Sequence, residues 1–400
     1  MSSNVRGWSS SCLVLGAALL ACGPGNDGSD DGGDGSPANP DAGPRDAGPR
    51  DAGPRDAGPT DGGDVDAGAS DARALDASSP SQRKWNPGHY YALGGDTFND
   101  TLWNAVLGEL AATPNFQGFI LRYDWLDLEG TEGQYDFSHI NSRLASLGDK
   151  KLMIFLQMKT FSANERAVPT YMRNATYGGG DFQWVNGAGA VGGYAPRLMN
   201  GAVRARLNAL MTAMAEEFDA DPQVEAIIFP ETALTENPSW TGTNEADYWA
   251  GLRVVDAHRA AVFENTISCQ WVNYPRAKLA TFVPDVRDNL GLALGGPDIV
   301  PQEPGLIFST PPNVGAYLHM GVSGGLVPII YNVSNPSYVS QTIDGTGDPQ
   351  SIEEIYLYAR DTLKSTHMTW TRMPAYRLEL LQYLQTHTAP LNVSRPAHWL

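Results

Sequence analysis

From about residue 81 onward, short apolar runs alternate with longer stretches in which apolar residues recur every three or four positions. Eight runs stand out, over 89–93, 118–122, 152–157, 224–229, 265–271, 290–294, 326–331 and 367–370. Most are nearly continuous rather than alternating, the pattern of parallel strands covered on both faces. The stretches between them predict helices over 97–112, 137–147, 202–218, 245–264, 276–281, 312–321 and 351–363, with a last one over 374–387. Repeated strand–helix alternation predicts an α/β fold, a (β/α)8 TIM barrel over 81–400, with an open doubly wound sheet as the competing architecture. The fourth run, Val224–Phe229, is stopped by Pro230 and followed by Glu231. A carboxylate therefore falls just past the C-terminal end of a core strand, where parallel α/β folds build their sites. A loop glutamate that caps the next helix is the plainer reading of the same residues.

A barrel also groups the polar residues at the other strand ends: Arg122 and Asp124, Gln157 and Lys159, Gln270 and Asn273, Asp298, Tyr331 and Asn332, and Trp370. Carboxylates, amides and rings on one rim suit a carbohydrate, whose hydroxyls take paired hydrogen bonds and whose C–H faces stack on aromatic rings. Any one of these rings, taken alone, reads first as core.

Composition changes the picture mainly before residue 81. Arg6 precedes an apolar run, Leu13–Ala21, that is too short to span a bilayer and fits a signal peptide. Leu19-Leu20-Ala21-Cys22 resembles the bacterial lipobox, which implies lipidation of Cys22 and anchoring to the cell envelope, at the outer membrane or cell surface. An ordinary secretory signal containing a cysteine is the alternative. Residues 23–80 carry four Asp-Ala-Gly-Pro repeats and, among large apolar residues, only Val65 and Leu75. Such a segment cannot bury enough surface to order itself, so it is expected to be a disordered linker with a reach of roughly 40 Å. It holds 13 Asp against 4 Arg, a net of −9, half of the formal −18 of the chain. The acidic balance thus says little about the folded part, and no basic patch points to nucleic acid. With Cys12 and Cys22 assigned to the leader, Cys269 stands alone, and no disulfide is expected in the folded domain, which is read as monomeric. The histidines show no zinc-ligand spacing, so neither a metal nor a cofactor is implied.

The segment from Phe119 to Ser138, Phe-Ile-Leu-Arg-Tyr-Asp-Trp-Leu-Asp-Leu-Glu-Gly-Thr-Glu-Gly-Gln-Tyr-Asp-Phe-Ser, resembles the second βα unit of the clan A glycoside hydrolases. Gly130 stands where that pattern has Pro. Lys151–Gln157 fits the third strand, and Trp370 resembles the Trp that floors the sugar subsite. The resemblance implies a glycoside hydrolase with Glu231 as general acid, although Pro230 replaces the usual Asn before it. The nucleophilic Glu expected on the seventh strand is missing, since that strand ends on Tyr331 and Asn332.

Glycoside cleavage needs one carboxylic acid and a second carboxylate, about 5 Å apart for retention and about 6.5 to 9.5 Å for inversion. Asp298 is the favoured base or nucleophile, with Glu303 and Asp124 as alternatives, and a turn-stabilising role is the plainer reading of Asp298. Gly295 and Gly296 are read as permitting a tight turn, and Glu129 and Glu236 as surface groups. Arg122, Gln157, Asn273, Tyr331 and Trp370 head the substrate-binding set. Residues 174–200 are read as a long loop over the mouth that offers Trp184 and Tyr194. Two motifs are set aside: Gly187–Gly192 lacks the strand and helix of a dinucleotide site, and Gly321–Gly325 lacks the strand–Ser–helix order of a hydrolase elbow. The competing function is a barrel that binds glycan without cleaving it.

Overall fold

A computed structural model describes residues 83–94, 97–185, 191–234, 242–340 and 347–399. The expected leader with Cys22, the expected linker over 23–80, Glu236 and residues 187–190 of the glycine motif lie outside them. Each of the eight apolar runs becomes one strand of a closed, all-parallel barrel. In chain order these are β1 (Gly88–Ala92), β2 (Phe116–Asp124), β3 (Lys151–Gln157), β6 (Val224–Phe229), β7 (Ile267–Trp271), β8 (Ala293–Gly296), β9 (Ile329–Val333) and β10 (His367–Thr371), and β1 closes on both β2 and β10. The expected helices form between them, including Gly201–Phe218 and Gly242–Val262. The predicted helix 276–281 runs on to Asp288 through Pro284.

Residues 174–200 are not simply a loop. They contain an antiparallel hairpin, β4 (Asp181–Val185) with β5 (Val191–Pro196).

Closure sorts side chains strictly, because successive residues on a strand point to opposite faces. Tyr90, Ile120, Met153, Ile228, Cys269, Trp271 and Ile330 form the inner cluster that fills the barrel. Their strand neighbours Tyr91, Phe119, Leu121, Ile154, Ile227, Tyr331 and Trp370 belong to the larger cluster between sheet and helices. Gly295 does not make a turn. A Cβ there would lie 1.7 Å from the Ile330 carbonyl oxygen, so the glycine serves the close approach of β8 to β9.

The motif after β2 is a lock. Glu129 is fully buried, contrary to its reading as a surface group. It accepts from Trp125 Nε1 at 3.0 Å and Gly133 N at 2.9 Å, and pairs with Arg206 of the helix Gly201–Phe218. Arg206 in turn reaches Tyr135 Oη at 3.0 Å and Tyr171 Oη at 3.2 Å. Four residues of the sequence motif are therefore spent on docking one guanidinium. Removing one partner of such a pair strands the other charge, so Glu129→Ala is expected to lower stability by about 3 kcal/mol, measured as a shift of the urea midpoint at unchanged slope.

Candidate active site

The C-terminal ends of the strands and the segments following them gather most of the expected residues. Arg122 and Asp124, two apart on β2 and in step with Ile120, face inward and are half-buried. Gln157 follows the inward Met153 and Phe155 at the same spacing and is 6% exposed. Asn332 faces inward on β9, where its Oδ1 accepts from Thr369 at 2.8 Å and its Nδ2 donates to the Pro297 carbonyl at 3.1 Å.

Glu231 stands just past β6 and keeps part of its surface. Its Oε1 lies 3.6 Å from Lys159 Nζ, itself almost fully buried. The ammonium also donates to the carbonyls of Glu231 and Ala233, and sits 4.7 Å from the Phe161 ring centroid and 5.0 Å from that of Trp184. Burial pulls the Lys159 ammonium below its ordinary range, and the Glu231 charge opposes that. The lysine thus fixes the loop as well as meeting the carboxylate. Asn273 works on the same loop, its Oδ1 accepting from Ala233 N and Tyr274 N at 2.9 Å each.

Asp298 follows β8. Its Oδ1 takes a hydrogen bond from Ser334 Oγ. Protein atoms crowd the carboxylate on most sides although the residue retains some contact with solvent, and this burial raises its pKa to about 7. The Ser334 hydroxyl lowers it somewhat and the Glu231 charge raises it further. The two carboxylates therefore act on each other across the mouth. Glu303 instead accepts from Tyr274 Oη at 3.0 Å.

Three expected binding residues are turned away. Trp370 and Tyr331 are buried beneath the helices, with Trp370 Nε1 donating to His89 Nδ1 at 2.9 Å. Gln270 is 1% exposed and donates to the Pro230 and Trp271 carbonyls while accepting from Arg259, so it braces the loop before Glu231. All three sit at outward-facing positions of their strands, one residue out of step with the inner cluster. Trp271 is an inward aromatic near the mouth; it packs on Phe155 at 4.9 Å between centroids, and its buried indole N–H has no partner among the described residues. Its alternation with Cys269 was the signal that singles it out.

No family model matches the sequence, and no curated protein matches it either. Among solved structures the chain is similar to the catalytic domain of a beta-amylase from Paenibacillus polymyxa, at 12% identity and a TM-score of 0.53 over 76% of this chain and 99% of that one. It is similar also to a beta-galactosidase from Rahnella sp. R3, at 10% identity and a TM-score of 0.50 over 79% of this chain and 58% of that one. The likeness is one of fold. It agrees with the barrel that the motif after β2 implied.

The raised Asp298 pKa has a consequence for stability. Between pH 3.8, its ordinary value, and about 7, the unfolded chain has released a proton that the folded chain keeps, so this residue's contribution falls as pH rises through that window and levels off above it. Asp298→Asn is expected to remove this component, leaving the variant more stable relative to wild type at pH 8 than at pH 4 in paired urea titrations.

Proposed function

We propose that the protein is a glycoside hydrolase that uses Asp298 and Glu231 as its two carboxylates, in roles opposite to those expected from the sequence. The observation that carries this reading is electrostatic. Asp298 holds its proton to near neutral pH, whereas Glu231 is ion-paired with a buried ammonium. A carboxyl whose environment keeps it protonated suits the general acid, and an ion-paired carboxylate suits the base or nucleophile.

In this reading Asp298 protonates the glycosidic oxygen as the bond to the anomeric carbon breaks. Glu231 either attacks that carbon or takes the proton of the attacking water, and the anomer of the first product distinguishes the two. Arg122, Asp124, Gln157 and Asn332 bind sugar hydroxyls. The Leu19–Cys22 motif and the linker support a lipid-anchored enzyme acting on a polysaccharide or oligosaccharide at the cell surface. Likeness to barrel structures that bear glycosidase names supports the substrate class through fold alone.

Glu231→Gln and Asp298→Asn are each expected to lower kcat by roughly 10²- to 10⁴-fold, read as reducing ends released from a panel of polysaccharides. Wild-type activity should fall as pH rises past about 7 and Asp298 loses its proton. A protein that releases no reducing ends from any member of the panel, yet is retained by one in affinity electrophoresis, is a binding barrel and the enzyme reading fails.

A further inference from the structure

The hairpin β4–β5 carries a second concavity that the chemistry above does not use. It is a groove of about 550 Å³, within the size range of small-ligand sites, lined by Arg166, Asp181, Phe182, Tyr194 and Arg197. Each arginine is held by a ring: Arg166 lies 4.3 Å from the Tyr194 centroid and Arg197 5.7 Å from that of Phe182. The Asp181 side chain is 3% exposed; its Oδ1 meets Arg166 Nη1 at 3.4 Å, while among the described residues its buried Oδ2 has no partner, nor does the buried Nε of Arg197. Three guanidinium groups, of Arg166, Arg173 and Arg197, act on this one carboxylate, so positive charge is in excess. Gly178 leaves room for the Arg197 stem, since a Cβ there would lie 3.0 Å from Arg197 Cδ in a left-handed backbone with φ of 59°.

The groove is attached to the mouth. Thr160, next to Lys159, donates its N–H to the Tyr194 carbonyl at 2.8 Å, accepts from Tyr194 N at 3.0 Å, and accepts from Trp184 Nε1 at 3.0 Å. Planar guanidiniums fixed on rings match the paired oxygens of an anionic group, and an unpartnered carboxylate oxygen beside them matches a hydroxyl. We infer that the groove is a further saccharide subsite, taking a carboxylate- or sulfate-bearing sugar of an acidic polysaccharide whose neighbouring units run toward Glu231 and Asp298. This rests on the glycan reading of the mouth.

The test is affinity electrophoresis of the full chain in gels containing polygalacturonate, a sulfated galactan or a neutral galactan. Retention by one of the acidic polymers and not by the neutral one is expected, and which acid retains the protein tells carboxylate from sulfate. Arg166→Gln, at a side chain 37% exposed and so tolerant of change, should weaken that retention roughly tenfold or more, as should Arg197→Gln, with unaltered circular dichroism. Glu231→Gln should be retained like wild type. Equal retention by neutral and acidic polymers, no retention by either acid, or indifference to Arg166→Gln overturns the inference. Acidic retention without cleavage of any polymer would sink the hydrolase and leave the groove standing, whereas cleavage of a neutral glycan without acidic retention would do the reverse.

Discussion

Closure of eight parallel strands is the constraint on which the rest depends. Once β1 bonds to both β2 and β10, no strand can slip by one residue without exchanging its whole inner and outer sets. That parity fills the barrel with Tyr90, Met153, Ile228 and Trp271, and aims Arg122, Asp124, Gln157 and Asn332 at its mouth. It equally commits Trp370, Tyr331 and Gln270 to the layer beneath the helices. A polar or aromatic residue at a strand end is thus available to a ligand only on alternate positions.

Buried charges fall into two kinds around this frame. Below, Glu225 accepts from Asn86 N and Nδ2 at 2.7 Å each and from His367 Nε2 at 3.3 Å; burial works against its charge, but these bonds prevail and hold its pKa below the ordinary range. Along the sides, Glu129 meets Arg206, and Asp256 meets Arg259 at 2.9 Å. Arg259 also donates to the Cys269 carbonyl and lies 4.1 Å from the Phe229 centroid, tying the helix Gly242–Val262 to the ends of β6 and β7. Glu225 and Glu129 are enclosed and matched, the condition for a structural role, whereas Asp256 keeps one buried oxygen without a partner among the described residues and burial raises its pKa. Asp298 differs. Among the described residues it has a single hydroxyl donor, with a neighbouring carboxylate and an opening to solvent, the condition under which a carboxyl keeps its proton and can deliver it.

How much of this was legible follows from the kind of signal each feature leaves. The eight strands were visible because burial on both faces makes their runs nearly continuous, and Glu231 because Pro230 marks where β6 ends. Parity was harder to read on continuous runs such as β9, where double burial erases the alternation that would have set Tyr331 apart from Asn332. The hairpin was missed because Gly178–Gly180 and Gly192–Gly193 look like loop, whereas Gly193 allows the Thr160 carbonyl to approach within 2.0 Å of where a Cβ would stand. Glu129 looked exposed because its partner, Arg206, lies 77 residues away. Long-range pairing leaves no local trace. The leaning of Asp298 toward the protonated form was likewise invisible, being set by burial and by a carboxylate on another strand.

The missing carboxylate on β9 becomes intelligible in these terms. Asn332 stands inward where a glutamate was expected, and uses its amide to hold the Pro297 carbonyl, while Ser334 two residues on donates to Asp298. Ile299 N, on the other side of Asp298, is in turn anchored by Ser337 Oγ at 2.8 Å. Asn332 and Ser334 therefore supply donors to the segment after β8, and Ser337 of the short helix Asn335–Val339 supplies an acceptor. A glutamate at 332 would remove the amide donor to Pro297 and add a carboxylate to a mouth that already holds those of Asp124, Glu231 and Asp298. The asparagine instead holds the backbone just before Asp298, the carboxylate that the neighbouring strand presents.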